Sequence, residues 1–363
     1  MNVESKLIFS ISMITALIFG FVHIYFPSQN YSFERLHIFL FNLCTGGTIL
    51  LYYTQGKTKP SKHIKLFFAF SLVYAFSAFL KIYPITILTS VLLLLIVEKI
   101  RTDKFSFLPL AFFKSDESIS SKFHQASLLC LSIGLIMATL VILNNEYFKF
   151  VSMAKLTLNT FFLGFSFPLS LITLSLVFEM IEKPQTISFK MIMEACFWVI
   201  TAGVIIFFIF ILFEKFLPQI FVTITLFIAV VVVFYLYMKF AENIQKKLFL
   251  TSGIGFLIFT AITGIAYIFL QASEDYNPIQ SKWLLNMHVF ASLYGWNLCG
   301  LSVICRFDDF PIKLHSSTII IIHWITAIIL APLGIFRGWA AIMAIIGYTF
   351  ITLTLFFSHN KTQ

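Results

Sequence analysis

Histidines are the distinguishing chemical set of this sequence, because the apolar runs that surround them hold almost no carboxylate. His37, in "RLHIFLFNLCTGG", and His288, in "NMHVFASLYGWN", each stand near one end of such a run, and His23 ends the run before His37. At about 1.5 Å of rise per residue, His37 and His288 can lie within one helical turn of the same depth. That is the spacing of a ligand pair. A haem iron with two axial ligands wants two neutral imidazoles facing each other from opposite helices, with apolar walls and little bulk beside the ring. Below His288 the helical face reads Ala291, Ser292, Gly295 and Cys299, and the run that holds His37 supplies Cys44, Thr45, Gly46 and Gly47. Such small residues leave room for a flat ring. They serve equally for tight helix packing that needs no cofactor.

The other histidines read more blandly. His63, His315 and His359 fall in loops or the tail, and His124 opens a span as a rim residue. His323, in "IIIIHW", is a core histidine bonded to a neighbour or a site residue, and His23 stays an alternative to His37. The cysteines Cys44, Cys130, Cys196, Cys299 and Cys305 form no CxxC or CxxCH, so zinc, iron–sulfur and covalently attached haem have no support. They read as small buried apolar side chains. Glu98, Glu179 and Glu194 stand at span ends where water reaches them. Without a deep carboxylate, a proton- or sodium-coupled transporter is disfavoured.

Elements that position these side chains follow from composition. The 363 residues are 59% hydrophobic and 11% charged, which places the chain in a bilayer and leaves no room for a soluble domain. Twelve spans are expected, at 7–26, 36–55, 65–80, 82–97, 125–144, 156–179, 195–213, 217–238, 248–270, 284–304, 317–336 and 338–357. Lys81 and Arg337 mark two very short turns, since a lone base suits an interfacial turn better than the middle of one long helix. The runs do not alternate, so the spans are helices and not barrel strands. The expected fold is one all-α polytopic helical bundle over 1–363, with about 12 transmembrane helices, the first retained and not cleaved as a signal peptide.

Lys and Arg distribute 18 against 7 between the two sides, which puts both termini in the cytoplasm of an inner, cytoplasmic-type membrane. The formal charge of +9 is then topology and lipid headgroups, with no nucleic-acid partner. The longest loop, 99–125, carries "FSFLPLAFF", a stretch suited to the membrane surface.

The arrangement resembles the catalytic subunit I of the haem–copper oxidases, a twelve-helix family with both termini cytoplasmic. In that family a low-spin haem is held by one histidine on helix two and one on helix ten, and the resemblance implies those roles for His37 and His288. It further implies that Arg337, in "APLGIFRGW", holds the haem propionates, for which a planar guanidinium is suited. The departures are specific. Asn286 stands where the high-spin haem ligand would be, Phe165 stands where a copper-ligating histidine would be, and 195–213 contains no histidine pair. No copper is expected, and dioxygen or nitric oxide reduction at a dinuclear centre is excluded. The reading is a degenerate family member with a bis-histidine, b-type haem for electron transfer, haem sensing or oxidase assembly. Respiratory-chain subunits or a cytochrome are its expected partners, and turnover of a substrate is not expected. The alternative is a small-solute permease without cofactor, with Asn42, Asn159 and Asn297 along its path.

Overall fold

The structure is a computed structural model, and it describes residues 1–27, 30–56, 59–153, 155–156, 164–181, 186–273, 276–307 and 316–358. Helices account for most of them, with no strand among the described residues. Ten are long and apolar enough to cross a membrane: α1 (Val3–Tyr25), α2 (Phe33–Gln55), α3 (Lys62–Phe79), α4 (Tyr83–Lys104), α5 (Ile119–Phe148), α7 (Ile187–Leu212), α8 (Phe216–Phe240), α9 (Lys246–Gln271), α10 (Gln280–Cys305) and α12 (Gly338–Phe357). Two shorter apolar helices, α6 (Gly164–Glu179) and α11 (Ser317–Leu333), complete the set. Each expected span has a helix among the described residues, with 157–163 of the span expected at 156–179 lying outside them, and the chain is an all-α, multi-pass membrane protein.

Local chemistry sets the boundaries. The Ser32, Ser61 and Thr186 hydroxyls accept from the backbone N–H three residues on, which caps α2, α3 and α7. Pro84 stands in the first turn of α4, where its missing N–H costs nothing. Lys81 adopts φ of 60° in the turn between α3 and α4, and Glu214 adopts 53° between α7 and α8. Two helices joined by so few residues must reverse direction sharply, and one left-handed residue does it. Arg337 stands immediately before α12, at the end of the short turn expected there.

Contacts divide the chain into two compact units. The first comprises Met1–Glu117 and His124–Ile172, the second Ser118–Phe123 and Thr173–Gln363. In the first, α5 and α6 cross so closely at Gly134 and Gly164 that a Cβ on either would run into the other's backbone. Close approach of this kind replaces the hydrophobic effect as the packing force between helices in lipid. In the second, Gly300 leaves the room that the Thr173 side chain fills, and Gly203 meets Leu226 across the α7–α8 hairpin.

Two helices stand apart by enclosure. Of the apolar windows, that of α2 is 89% buried and that of α10 83%, against 22–56% for the other eight. These are the helices that carry His37 and His288. Both also contain long π-helical stretches, Phe39–Gly47 in α2 and Ala291–Asn297 in α10, and shorter ones lie in α5 (Leu143–Phe148) and α11 (Ile325–Leu330).

Candidate imidazole sites

In the first unit, His37 is buried in the second turn of α2, and its Nδ1–H donates to the Ala16 carbonyl of α1 at 2.7 Å. Gly20, one turn further along α1, lies under the ring: a Cβ there would stand 3.0 Å from Nδ1. In the second unit, His288 is half-buried on α10, and its Nδ1–H donates to the Thr260 carbonyl of α9 at 2.9 Å. Gly264, again one turn on, lies under this ring, with its Cβ position 3.1 Å from Nδ1 and Cε1. The same device is built twice. A carbonyl on the preceding helix takes the Nδ1 proton, a glycine four residues later makes room for the imidazole, and π-helical backbone begins within three residues of the histidine.

Carbonyl oxygens only accept, so Nδ1 carries the proton in both rings and Nε2 holds the lone pair. This is the tautomer and the supporting contact that metal-ligating histidines take. Each ring, taken within its own unit, thus has the tautomer of a metal-ligating imidazole. Of the two readings of the slim stripes, tight packing is the one the contacts support. A Cβ on Gly295 would run into Phe256, and Gly253 packs on Trp296 and Cys299; Gly46 meets Leu169 and Gly47 meets Phe67. Tight packing accounts for those residues, because each gap left by a missing side chain is filled from a neighbouring helix.

Arg337 is exposed, and its guanidinium makes no hydrogen bond or ion pair among the described residues. His23 lies 3.6 Å from Glu34 at the α1–α2 connection, outside the carbonyl–glycine cradle that holds His37. His124 departs from its expected place at the rim: it is 5% exposed, stacked on Tyr53 at 5.3 Å and edged by Phe105 at 5.4 Å. Its Nε2 is 2.8 Å from Thr54 Oγ1, whose own proton goes to the Leu50 carbonyl, so Nε2–H donates. His323, 1% exposed, donates from Nε2 to the Tyr294 carbonyl at 2.5 Å. These two hold the opposite tautomer to His37 and His288. Asn159, His315 and His359 lie outside the described residues.

The carboxylates at span ends are also more engaged than expected. Glu98 receives a bidentate contact from buried Arg101, at 2.9 Å from Nε and 2.7 Å from Nη2, and a hydrogen bond from Ser132. Glu194 of α7 pairs with Lys122 of α5 at 2.6 Å, with Lys122 only 1% exposed. Arg306, wholly buried, donates to the Leu355 and Ser358 carbonyls at the end of α12, where orphan carbonyls and the helix dipole favour a cation. Burying a charge is costly unless it is paired, and each of these cations has found partners.

Asn42, inside the π-helical stretch of α2, is different. It is 1% exposed, and neither amide atom has a hydrogen-bond partner. Nothing in the sequence signals this state or the π-helical backbone. The glycines under the imidazoles were visible as Gly20 and Gly264, but what lay above them was not.

No group of three or more His, Cys, Asp or Glu suited to a metal occurs among the described residues. No known protein family, curated protein or solved structure matches the chain.

Proposed function

We propose that this chain is a haem-binding protein of the membrane, with His37 and His288 as axial ligands of a low-spin b-type haem and Arg337 at its propionates. The observation that carries the reading is the repeated cradle: two imidazoles held in one tautomer by Ala16 and Thr260 carbonyls, each over a glycine. Histidines that merely fill a core have no need to share a tautomer, and His124 and His323 take the other one. Their shared state leaves Nε2, the nitrogen further from the backbone, as the electron-pair donor. A six-coordinate iron has no open position for a substrate. It suits electron transfer, haem sensing or assembly of a respiratory oxidase, in an inner, cytoplasmic-type membrane with both termini in the cytoplasm. Oxidase subunits or a cytochrome are its partners on this reading, and its likeness to oxidase subunit I rests on His37, His288 and Arg337.

Reduced-minus-oxidised spectra of the purified protein test the reading. The parent is expected to show a low-spin haem signal that His37→Ala and His288→Ala each abolish or convert to high-spin. No haem in the parent, or an unchanged signal in both variants, overturns it. A second reading, a small-solute permease, draws on the buried amide of Asn42. Solute flux through proteoliposomes, reduced in Asn42→Leu, is its signature.

A further inference from the structure

His288 and His323 are joined through backbone. His323 Nε2–H donates to the carbonyl of Tyr294, and Tyr294 lies within the π-helical stretch Ala291–Asn297 that begins three residues after His288. The His323 ring has little freedom to leave. Phe256 lies 4.7 Å from it and stacks on Trp324 at 4.1 Å, while Trp324 Nε1–H donates to Ser252 Oγ at 3.0 Å. Phe256 in turn occupies the gap over Gly295, in the same π-helical stretch. One donor and one ring from outside α10 thus bear on its widened turn.

We infer that His323 is a positioning residue for His288: it holds the wide turn of α10 and so sets the direction in which the His288 imidazole projects. The inference rests on the reading of His288 as a haem ligand. Its physical basis is helical phase. A π-turn holds one residue more than an α-turn, and each residue of an α-helix advances the phase by about 100°. Collapse of the wide turn to α-helix would rotate His288 by about that angle against the part of α10 that follows. The Nδ1–H bond to Thr260 and the fit over Gly264 could not both survive. A side-chain donor to a carbonyl recurs in the corresponding stretch of α2, where Thr45 Oγ1–H donates to the Leu40 carbonyl at 2.9 Å.

The test uses full-length protein with three substitutions. His323→Phe keeps a ring against Phe256 but removes the donor, His323→Asn shortens it, and His323→Gln restores an N–H at similar reach. On haem-free protein labelled with ¹⁵N-histidine, the His288 imidazole resonance, assigned by its loss in His288→Ala, is expected to shift in the Phe and Asn variants and to return in the Gln variant. On haem-loaded protein, affinity is expected to fall about tenfold or more in Phe and Asn, the range for lost supporting contacts, with Gln close to the parent. A His288 resonance unmoved in a folded Phe or Asn variant overturns the inference. Should Phe fail to fold, Asn decides alone. Absence of haem in the parent overturns the ligand reading, and the resonance arm still decides the positioning role.

Discussion

Asn42 holds two buried amide atoms without partners, in a helix where each such group costs about 1–3 kcal/mol. Asn42→Leu replaces the amide with an apolar side chain of similar size and is expected to raise the thermal unfolding temperature while weakening haem binding or solute flux. An unfolding temperature that falls instead shows that the amide is a structural contact. Tautomers separate the histidines at the same scale. His37 and His288 donate through Nδ1, while His124 and His323 donate through Nε2 and keep no lone pair on that nitrogen. His124→Ala is therefore expected to retain the haem spectrum that His37→Ala and His288→Ala lose, at a stability cost of a few kcal/mol for the cavity left among Tyr53 and Phe105.

Between elements, glycine is what lets the imidazoles seat. A methyl group at Gly20 or Gly264 would stand 3.0–3.1 Å from the ring nitrogen above it. Gly20→Ala and Gly264→Ala are expected to displace the imidazoles by a few tenths of an ångström and shift the haem bands with little loss of stability; the valine variants, with branched side chains, are expected to lose the haem signal. Difference spectra with parallel melting curves distinguish the two. The α5–α7 contact offers a separate test. Lys122 is almost fully buried against the partly exposed Glu194, so Glu194→Gln leaves an unpaired charge and is expected to cost about 3–5 kcal/mol. The double variant Lys122→Met, Glu194→Met removes both charges and is expected to be the more stable of the two in thermal unfolding.

For the whole molecule, the consequence to check is orientation. The bias of 18 cationic side chains against 7 predicts that the turns at Lys81 and Arg337 face outward and that the loop at Lys114 faces the cytoplasm. Single cysteines at Lys81 and Arg337, in a background lacking the five native ones, are expected to react with a membrane-impermeant thiol reagent added to intact cells. A cysteine at Lys114 is expected to react only after the cells are opened. The reverse pattern inverts the topology and moves both imidazole sites to the other side of the membrane.

Hydrophobicity is written residue by residue, so the twelve helices, their helical character and the turns at Lys81 and Arg337 were readable directly: lipid forces every backbone group to bond within its own segment. The ion pair of Glu98 with Arg101 was within reach too, since a spacing of three residues puts both on one helical face. What sequence left open was which face meets which neighbour. Gly295 and Gly46 could equally have made room for a ring or for Phe256 and Leu169, and helix packing chose the latter. Likewise an imidazole in an apolar run carries no mark of its tautomer. Only the carbonyls of Ala16, Thr260 and Tyr294, backbone atoms common to every sequence, decided which nitrogen of His37, His288 and His323 keeps its proton. Side-chain type is a property of the chain, whereas hydrogen-bond partners and the widening of a helical turn belong to the contacts that folding makes.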